Sequence, residues 1–297
     1  MEWFIFALFA PILWSICNVL DKFLLEKYVK DPISYEFLIS LFDIISIIII
    51  LFLSPISTNF YGFVLGIIVG IIGVLAVILY NKSMADEEAS RVVPLAYVNV
   101  IFVVILAYIF LGEIFNFQKY LGIIVIIIGV TLISFKKSLK KWHFSSAAKF
   151  ILIAGILWAG ASVLSKYVLG FIDYFTITVW QLVGYLITIP FFLISKKVRI
   201  NFHRDIKKVD RKVFLIMIVN TLVYLIGVLS FYFATSISSI SLVYAVASTQ
   251  PFFIFIYGLI ITKIAPNIIK EEIDKSTIIL KIIAIVLIFL GTFLIGS

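Results

Sequence analysis

The chain is poor in charged residues. Asp, Glu, Lys and Arg make up only 13% of its 297 residues, whereas 63% are hydrophobic; a soluble domain has about 25% charged residues. Such a chain would expose much apolar surface to water, so its expected solvent is the lipid bilayer. Short segments with alternating polar and apolar residues, which are typical of membrane β-barrel strands, are absent. The predicted fold class is therefore an all-α integral membrane protein.

Residue types that carry chemistry are also scarce. The single cysteine, Cys17, excludes an intramolecular disulfide framework and a thiolate metal cluster. His143 and His203 lie in basic hydrophilic segments with no second ligand nearby, and no phosphate-binding glycine loop is present. We therefore expect no catalytic residue, no cofactor and no metal, and do not predict an enzyme. The net charge of +8 lies in loops and predicts no nucleic-acid partner.

What the chain has in abundance is long apolar runs. At 1.5 Å per residue, each run could cross a hydrocarbon core about 30 Å thick. The sequence therefore predicts ten transmembrane helices, at residues 3–22, 33–53, 61–81, 91–111, 117–135, 149–168, 174–194, 213–234, 239–262 and 277–295.

A polar pattern occurs twice in these runs. Trp14-x3-Asn18-x3-Lys22 returns 144 residues later as Trp158-x3-Ser162-x3-Lys166, and five of twelve positions are identical between 14–25 and 158–169. Further matches pair Asp43 with Gln181, Asn99 with Gln250, and Gly129 with Gly291. Each copy would hold five helices. Because five is odd, the second copy would enter the membrane from the other side, as an inverted repeat.

The predicted domains follow from this repeat. A first unit covers residues 1–135, a basic linker 136–148, and a second unit 149–297. Of the 24 Lys and Arg residues, 21 fall in or beside the loops after the odd-numbered helices. The positive-inside rule then predicts a multi-pass cell-membrane protein with cytoplasmic basic loops and both termini outside. We interpret the basic loops as contacts for anionic lipid.

The repeated stripe supplies candidate binding residues. Residues four apart share one helix face, so we predict a cavity lined by Trp14 and Asn18 of one unit and Trp158 and Ser162 of the other. Inversion puts Lys22 and Lys166 at opposite membrane faces. Two interpretations stay open for these lysines: they snorkel to the interface, or they gate the cavity and attract an anionic group.

Asp43 is the most unusual single residue, because it is the eleventh residue of a 21-residue, mainly apolar span. A lone carboxylate at mid-membrane costs several kcal/mol unless it faces a polar cavity, finds a partner or takes up a proton. Asp43 is therefore our candidate for proton coupling, with a structural hydrogen bond as the alternative. Its repeat partner Gln181 and the matched pair Asn99 and Gln250 complete the predicted cavity residues.

These features resemble a known family. The Trp14 stripe, Arg91-Val-Val-Pro-Leu, Leu111-Gly112-Glu113, Gln118-x3-Gly122 and Gly129-Val130 are similar to an EamA domain of the drug/metabolite transporter superfamily. The resemblance implies two EamA units in inverted repeat, a central cavity, and amino acids, metabolites, sugars or toxic compounds as substrates. The second unit departs from it, since Ile261-Thr-Lys-Ile-Ala-Pro266 lacks the glutamate. Glu113 itself is expected to be a cap or salt-bridge partner. Family members are usually drawn with cytoplasmic termini, the reverse of the charge count.

Together these features predict a secondary transporter of a small metabolite or amino-acid-like solute. It would work by alternating access, with proton coupling through Asp43 as a hypothesis. Three alternatives stay open: an antiporter of anionic metabolites using Lys22, Lys82 and Lys166, a lipid-carrier flippase, and a passive channel. The expected partners are the solute and membrane lipids, and a homodimer is among the assemblies that the sequence allows.

Overall fold

The fold consists of helices throughout the described part of the chain. The computed structural model describes residues 2–86, 99–134, 146–264 and 275–296, and no strand occurs within them. The helices are α1 (Glu2–Lys27), α2 (Pro32–Leu53), α3 (Phe60–Asp86), α4 (Asn99–Leu111), α5 (Phe117–Ser134), α6 (Ser146–Val168), α7 (Tyr174–Thr188), α8 (Lys196–Ile206), α9 (Arg211–Ile237), α10 (Ile240–Ala247), α11 (Gln250–Ile264) and α12 (Lys275–Gly296), with a 3-10 helix at Ile189–Ile194.

Seven helical segments of the described ranges are long and apolar enough to cross a membrane. Three shorter apolar helices accompany them, at Asn99–Leu111, Phe117–Gly129 and Ile282–Ile295. Large apolar side chains cover the outside of the bundle; Phe52, for example, is 88% exposed. Since lipid is the favourable environment for such a surface, the chain is a multi-pass membrane protein.

Two predicted runs are interrupted at prolines. Run 174–194 is helical only to Thr188 and continues as the 3-10 helix that contains Pro190. Run 239–262 is divided into α10 and α11 just before Pro251. Proline lacks the N–H that an α-helix needs and clashes with the preceding turn, which accounts for both interruptions. The predicted start of run 91–111, including Pro94, lies outside the described residues.

The hydrophilic segment 195–212, predicted as a loop, contains the short helix α8. Phe202 packs on Phe37 of α2, with ring centroids 4.7 Å apart. The Asp31 amide donates to the fully buried Asp205 carboxylate over 3.2 Å. Burial alone would raise the pKa of Asp205, but hydrogen bonds from Arg204 and from this amide hold the pKa below its ordinary value. These contacts fix α8 against α2.

Contacts between loops define the two ends of the bundle. At one end, Asn201 of α8 donates to the Asp31 carboxylate over 2.9 Å, which places α8 beside the turn between α1 and α2. We call this end the basic face. At the other end, the Ser57 amide donates to the Thr176 hydroxyl over 3.1 Å. We call this end the opposite face; it carries the loops 54–59, 112–116, 169–173 and 238–239.

Glycines bring helices of the two predicted units into backbone contact. A Cβ added to Gly70 of α3 would lie 2.2 Å from the Gln181 carbonyl oxygen and 2.9 Å from Gly184 Cα of α7. A Cβ on Gly122 of α5 would lie 2.9 Å from the Gly291 carbonyl oxygen of α12. Small residues allow this close approach, on which helix association in lipid depends.

Candidate solute-binding cavity

A cavity of about 370 Å³ lies inside the bundle. It is lined by residues of α1 to α4 and of α6, α7, α9, α10 and α11, so both predicted units contribute to it. On α1 the lining extends from Trp14, at mid-length, to Asp21, near the basic face. On α6 the lining extends from Trp158 to Ser165, toward the opposite face. The cavity volume suits a small metabolite.

The structure places all eight cavity residues predicted from the sequence around this one cavity. Three of them are almost completely buried: Asp43 is 3% exposed, Gln181 7% and Asn99 8%. Their role in binding a solute stays a prediction. The eight are Trp14, Asn18, Asp43, Asn99, Trp158, Ser162, Gln181 and Gln250.

The two tryptophans of the repeated stripe make crossed contacts between the units. Trp14 of α1 packs against Phe231 of α9, with ring centroids 5.5 Å apart. Trp158 of α6 packs against Tyr80 of α3 at 5.4 Å. Tyr80 and Phe231 are themselves matched positions, 151 residues apart. Each tryptophan thus contacts the other unit at the equivalent place.

An acidic cluster lies between mid-height and the basic face. Asp21 accepts hydrogen bonds from the Tyr35 hydroxyl and, over 2.6 Å, from the Asn220 amide. Glu36 accepts from the Asn81 amide over 2.9 Å. All five side chains line the cavity. α1, α2, α3 and α9 are therefore joined through two carboxylates.

Sequence reasoning missed Asp21, Tyr35 and Glu36. Each lies within two turns of a helix end, where a charged or phenolic side chain is ordinary at the membrane interface. One signal was available: Glu36 stands seven residues before Asp43, so the two share a face of α2. A second acid on the face of a mid-membrane acid indicates a polar lumen.

The amides of the cavity bind tyrosines. Gln181 accepts a hydrogen bond from the Tyr232 hydroxyl and donates to the Tyr185 hydroxyl over 3.1 Å. Asn99 donates to the Tyr244 hydroxyl over 2.9 Å. These bonds orient the amides and join α7 to α9 and α4 to α10.

Asp43 differs from the other two acids. The described residues donate no hydrogen bond to its carboxylate, although the side chain is only 3% exposed. The structural hydrogen bond considered as its alternative role therefore has no donor in the described ranges. A buried carboxylate in this state needs a proton or a cation to offset its lost hydration.

The lysines of the repeated stripe are not among the described residues that line the cavity. Lys166 donates to the carbonyl oxygens of Thr235 and Ser238, over 2.7 and 2.8 Å, and so joins the ends of α6 and α9 at the opposite face. Lys22 is exposed near the end of α1 at the basic face. Lys82 lies over the Phe150 ring, 4.2 Å from its centroid.

Glu113 caps a helix, as predicted. Its carboxylate accepts from the Ile240 amide over 2.7 Å and from the Ser241 amide over 3.1 Å, at the first turn of α10. Negative charge is favourable there because the first amides of a helix lack partners. Gly112, with φ of 66°, supplies the left-handed turn before it. The predicted capping role is confirmed.

Comparison with solved structures identifies the fold of the whole chain. One solved structure, described only as "Crystal structure of protein", superposes with a TM-score of 0.70 at 12% sequence identity. The match covers 99% of this chain and 95% of the other. At this identity the likeness concerns the fold alone.

Comparison with sequences finds a family match for the first predicted unit. No curated protein sequence matches the chain. Residues 1–135 match the sequence model of the EamA-like transporter family, a family of membrane transporters rather than of enzymes. The predicted resemblance to this family is therefore confirmed for residues 1–135.

Proposed function

We propose that this protein is a secondary transporter that moves a small solute across the cell membrane by alternating access. The observation that carries the proposal is the cavity of about 370 Å³, lined by polar and aromatic side chains of both predicted units. Lys166 closes the helix ends at the opposite face, and an apolar cluster around Leu24, Leu38 and Met217 packs at the basic face. A site between two closures can be exposed to each side in turn.

The proposed transporter has ten membrane helices in two inverted units. The crossed pairs Trp14–Phe231 and Trp158–Tyr80 support this arrangement, because a twofold axis in the membrane plane would exchange them. The close contact between Gly122 and Gly291 also fits, since α5 and α12 would be partners across that axis.

The basic face is assigned to the cytoplasm. The 21 basic residues in or beside the loops after the odd-numbered predicted helices support this orientation. A C-terminal fusion to a reporter that is active only in the cytoplasm should therefore be silent, and a fusion to an enzyme active only outside should work. A bright cytoplasmic reporter would reverse the assignment.

Asp43 is assigned the proton-coupling role. It is buried at mid-height, lines the cavity and receives no hydrogen bond from the described residues. A proton taken up there at one face and released at the other would link solute flux to the pH gradient. Gln181, at the matched position, cannot carry a proton in this way.

Counterflow in proteoliposomes tests the transport proposal. Compounds that raise the unfolding temperature of the purified protein would first be selected from a metabolite collection. Vesicles preloaded with a selected compound should then take up its labelled form transiently against its gradient. Flux that rises linearly with concentration and lacks counterflow would indicate a channel instead.

The anion-antiporter alternative finds less support. It requires lysines at the solute, but Lys22, Lys82 and Lys166 are not among the described residues that line the cavity. The described charged side chains that do line the cavity are the acids Asp21, Glu36 and Asp43.

A further inference from the structure

The charge of the cavity has one sign in the described ranges. Its lining includes the carboxyl groups of Asp21, Glu36 and Asp43, and no Lys, Arg or His among the described lining residues. Glu36 and Asp43 stand about 10 Å apart along one face of α2. A low-dielectric site with several acids attracts cations and repels anions.

The three acids differ in the hydrogen bonds that their carboxylates receive from the protein. Asp21 and Glu36 receive hydrogen bonds of 2.6 and 2.9 Å from Asn220 and Asn81. Asp43, 3% exposed, receives none from the described residues. Its carboxylate is therefore the acceptor left for a ligand at mid-height.

Two side-chain oxygens of lining residues have no hydrogen-bond partner within the described ranges, and both are closed off from the open part of the cavity. They are the side-chain oxygens of Asn99 and Asn220. The Trp14 indole nitrogen is also unpaired, but it points at α9, where it would lie 2.7 Å from a Cβ on Gly227. The unpaired hydroxyl of Thr221 can act as donor or acceptor.

The walls of the cavity add aromatic surface. Aromatic rings hold flat apolar groups and attract cations at their faces. Nine aromatic residues line the cavity: Trp14, Tyr35, Tyr80, Trp158, Tyr185, Tyr224, Phe231, Tyr232 and Tyr244.

We propose that the solute is an organic cation, an amine attached to an aromatic or apolar group. The ammonium binds the Asp43 carboxylate, while the rings enclose the apolar part. The inference rests on the proposed transport function for its biological use, but the binding itself can be measured without flux.

Three indoles of different charge test the inference. Tryptamine is a cation at neutral pH, indole-3-ethanol is neutral, and indole-3-propionate is an anion. Equilibrium binding to the full chain in lipid nanodiscs, with empty nanodiscs subtracted, should favour tryptamine over the neutral indole by about 10- to 100-fold. The anion should bind weakest. Equal affinities, no tryptamine binding, or preference for the anion would overturn the proposal.

Substitutions of the acidic residues test which carboxylate is responsible for the preference for tryptamine. Asp43→Asn should lower tryptamine affinity by about tenfold or more while leaving indole-3-ethanol unchanged. Glu2→Gln removes an exposed acid outside the cavity and should change neither. A tryptamine preference that survives Asp43→Asn would contradict the assignment, and its loss only in Asp21→Asn or Glu36→Gln would place the ammonium at that acid instead. Cation binding without counterflow of any solute would instead reject the transport function and keep this site.

Discussion

Asp43→Asn is expected to abolish proton-driven accumulation of solute. At one proton per solute, a pH gradient of one unit is worth about 1.4 kcal/mol and supports about tenfold accumulation. The variant should accumulate nothing beyond equilibrium, because the asparagine side chain cannot exchange a proton. At saturating solute it should still catalyse counterflow, since the rest of the cavity is intact. Uptake into proteoliposomes with pH gradients imposed in either direction measures the accumulation. Exchange of labelled solute at saturating concentration measures the counterflow.

Asp43→Glu and Glu2→Gln are the controls. The first restores a titratable group at the same place and should recover at least part of the accumulation. The second removes an exposed carboxylate at the start of α1 and should leave accumulation unchanged. If Asp43→Asn kept the pH dependence of wild-type flux, Asp43 would not be the coupling residue.

Lys166→Met is expected to open the opposite face. The ammonium group of Lys166 donates to Thr235 and Ser238, over 2.7 and 2.8 Å, and these bonds hold the end of α6 against the end of α9. Bonds from a charged donor are worth about 1.5–3 kcal/mol each. Losing both should therefore shift the population toward the state open at this face by more than about 100-fold.

Spin labels on Gly170 and Ile237 would report that opening in a Cys17→Ser background. Electron paramagnetic resonance should show a longer distance in Lys166→Met than in the parent. Lys119→Met removes another lysine from the same end of the bundle and should leave the distance unchanged. An unaltered distribution in Lys166→Met would mean that this lysine anchors the helix end without gating it.

Much of the fold could be predicted from apolar run length. Helices α1, α2, α3 and α9 begin and end within five residues of the predicted runs, because in lipid the backbone must form its own hydrogen bonds. Helix α8 could not be predicted this way, because its few apolar residues are separated by charged ones and form no long apolar run. It is stabilised by contacts such as Phe202 with Phe37, which only the tertiary structure supplies.

The cavity was predictable where polar residues stand at mid-membrane. Asp43, Gln181 and Asn99 are conspicuous there, and the repeat marks their partners. Asp21 and Glu36 were missed because their roles depend on neighbours distant in sequence. Asn220, for example, reaches Asp21 across 199 positions. No local pattern predicts such a pairing, whereas their helix-end positions suggest ordinary interfacial charges.

The central claim is that one cavity is opened to the two faces in turn, and paired distance measurements test it most directly. One label pair, Gly170 and Ile237, reports the opposite face, and a second, Lys27 and Lys82, reports the basic face. Both distances are measured in nanodiscs, with and without solute and across pH. Alternating access predicts that one distance lengthens as the other shortens. Two distances that never change, or that lengthen together as in an open pore, would contradict alternating access.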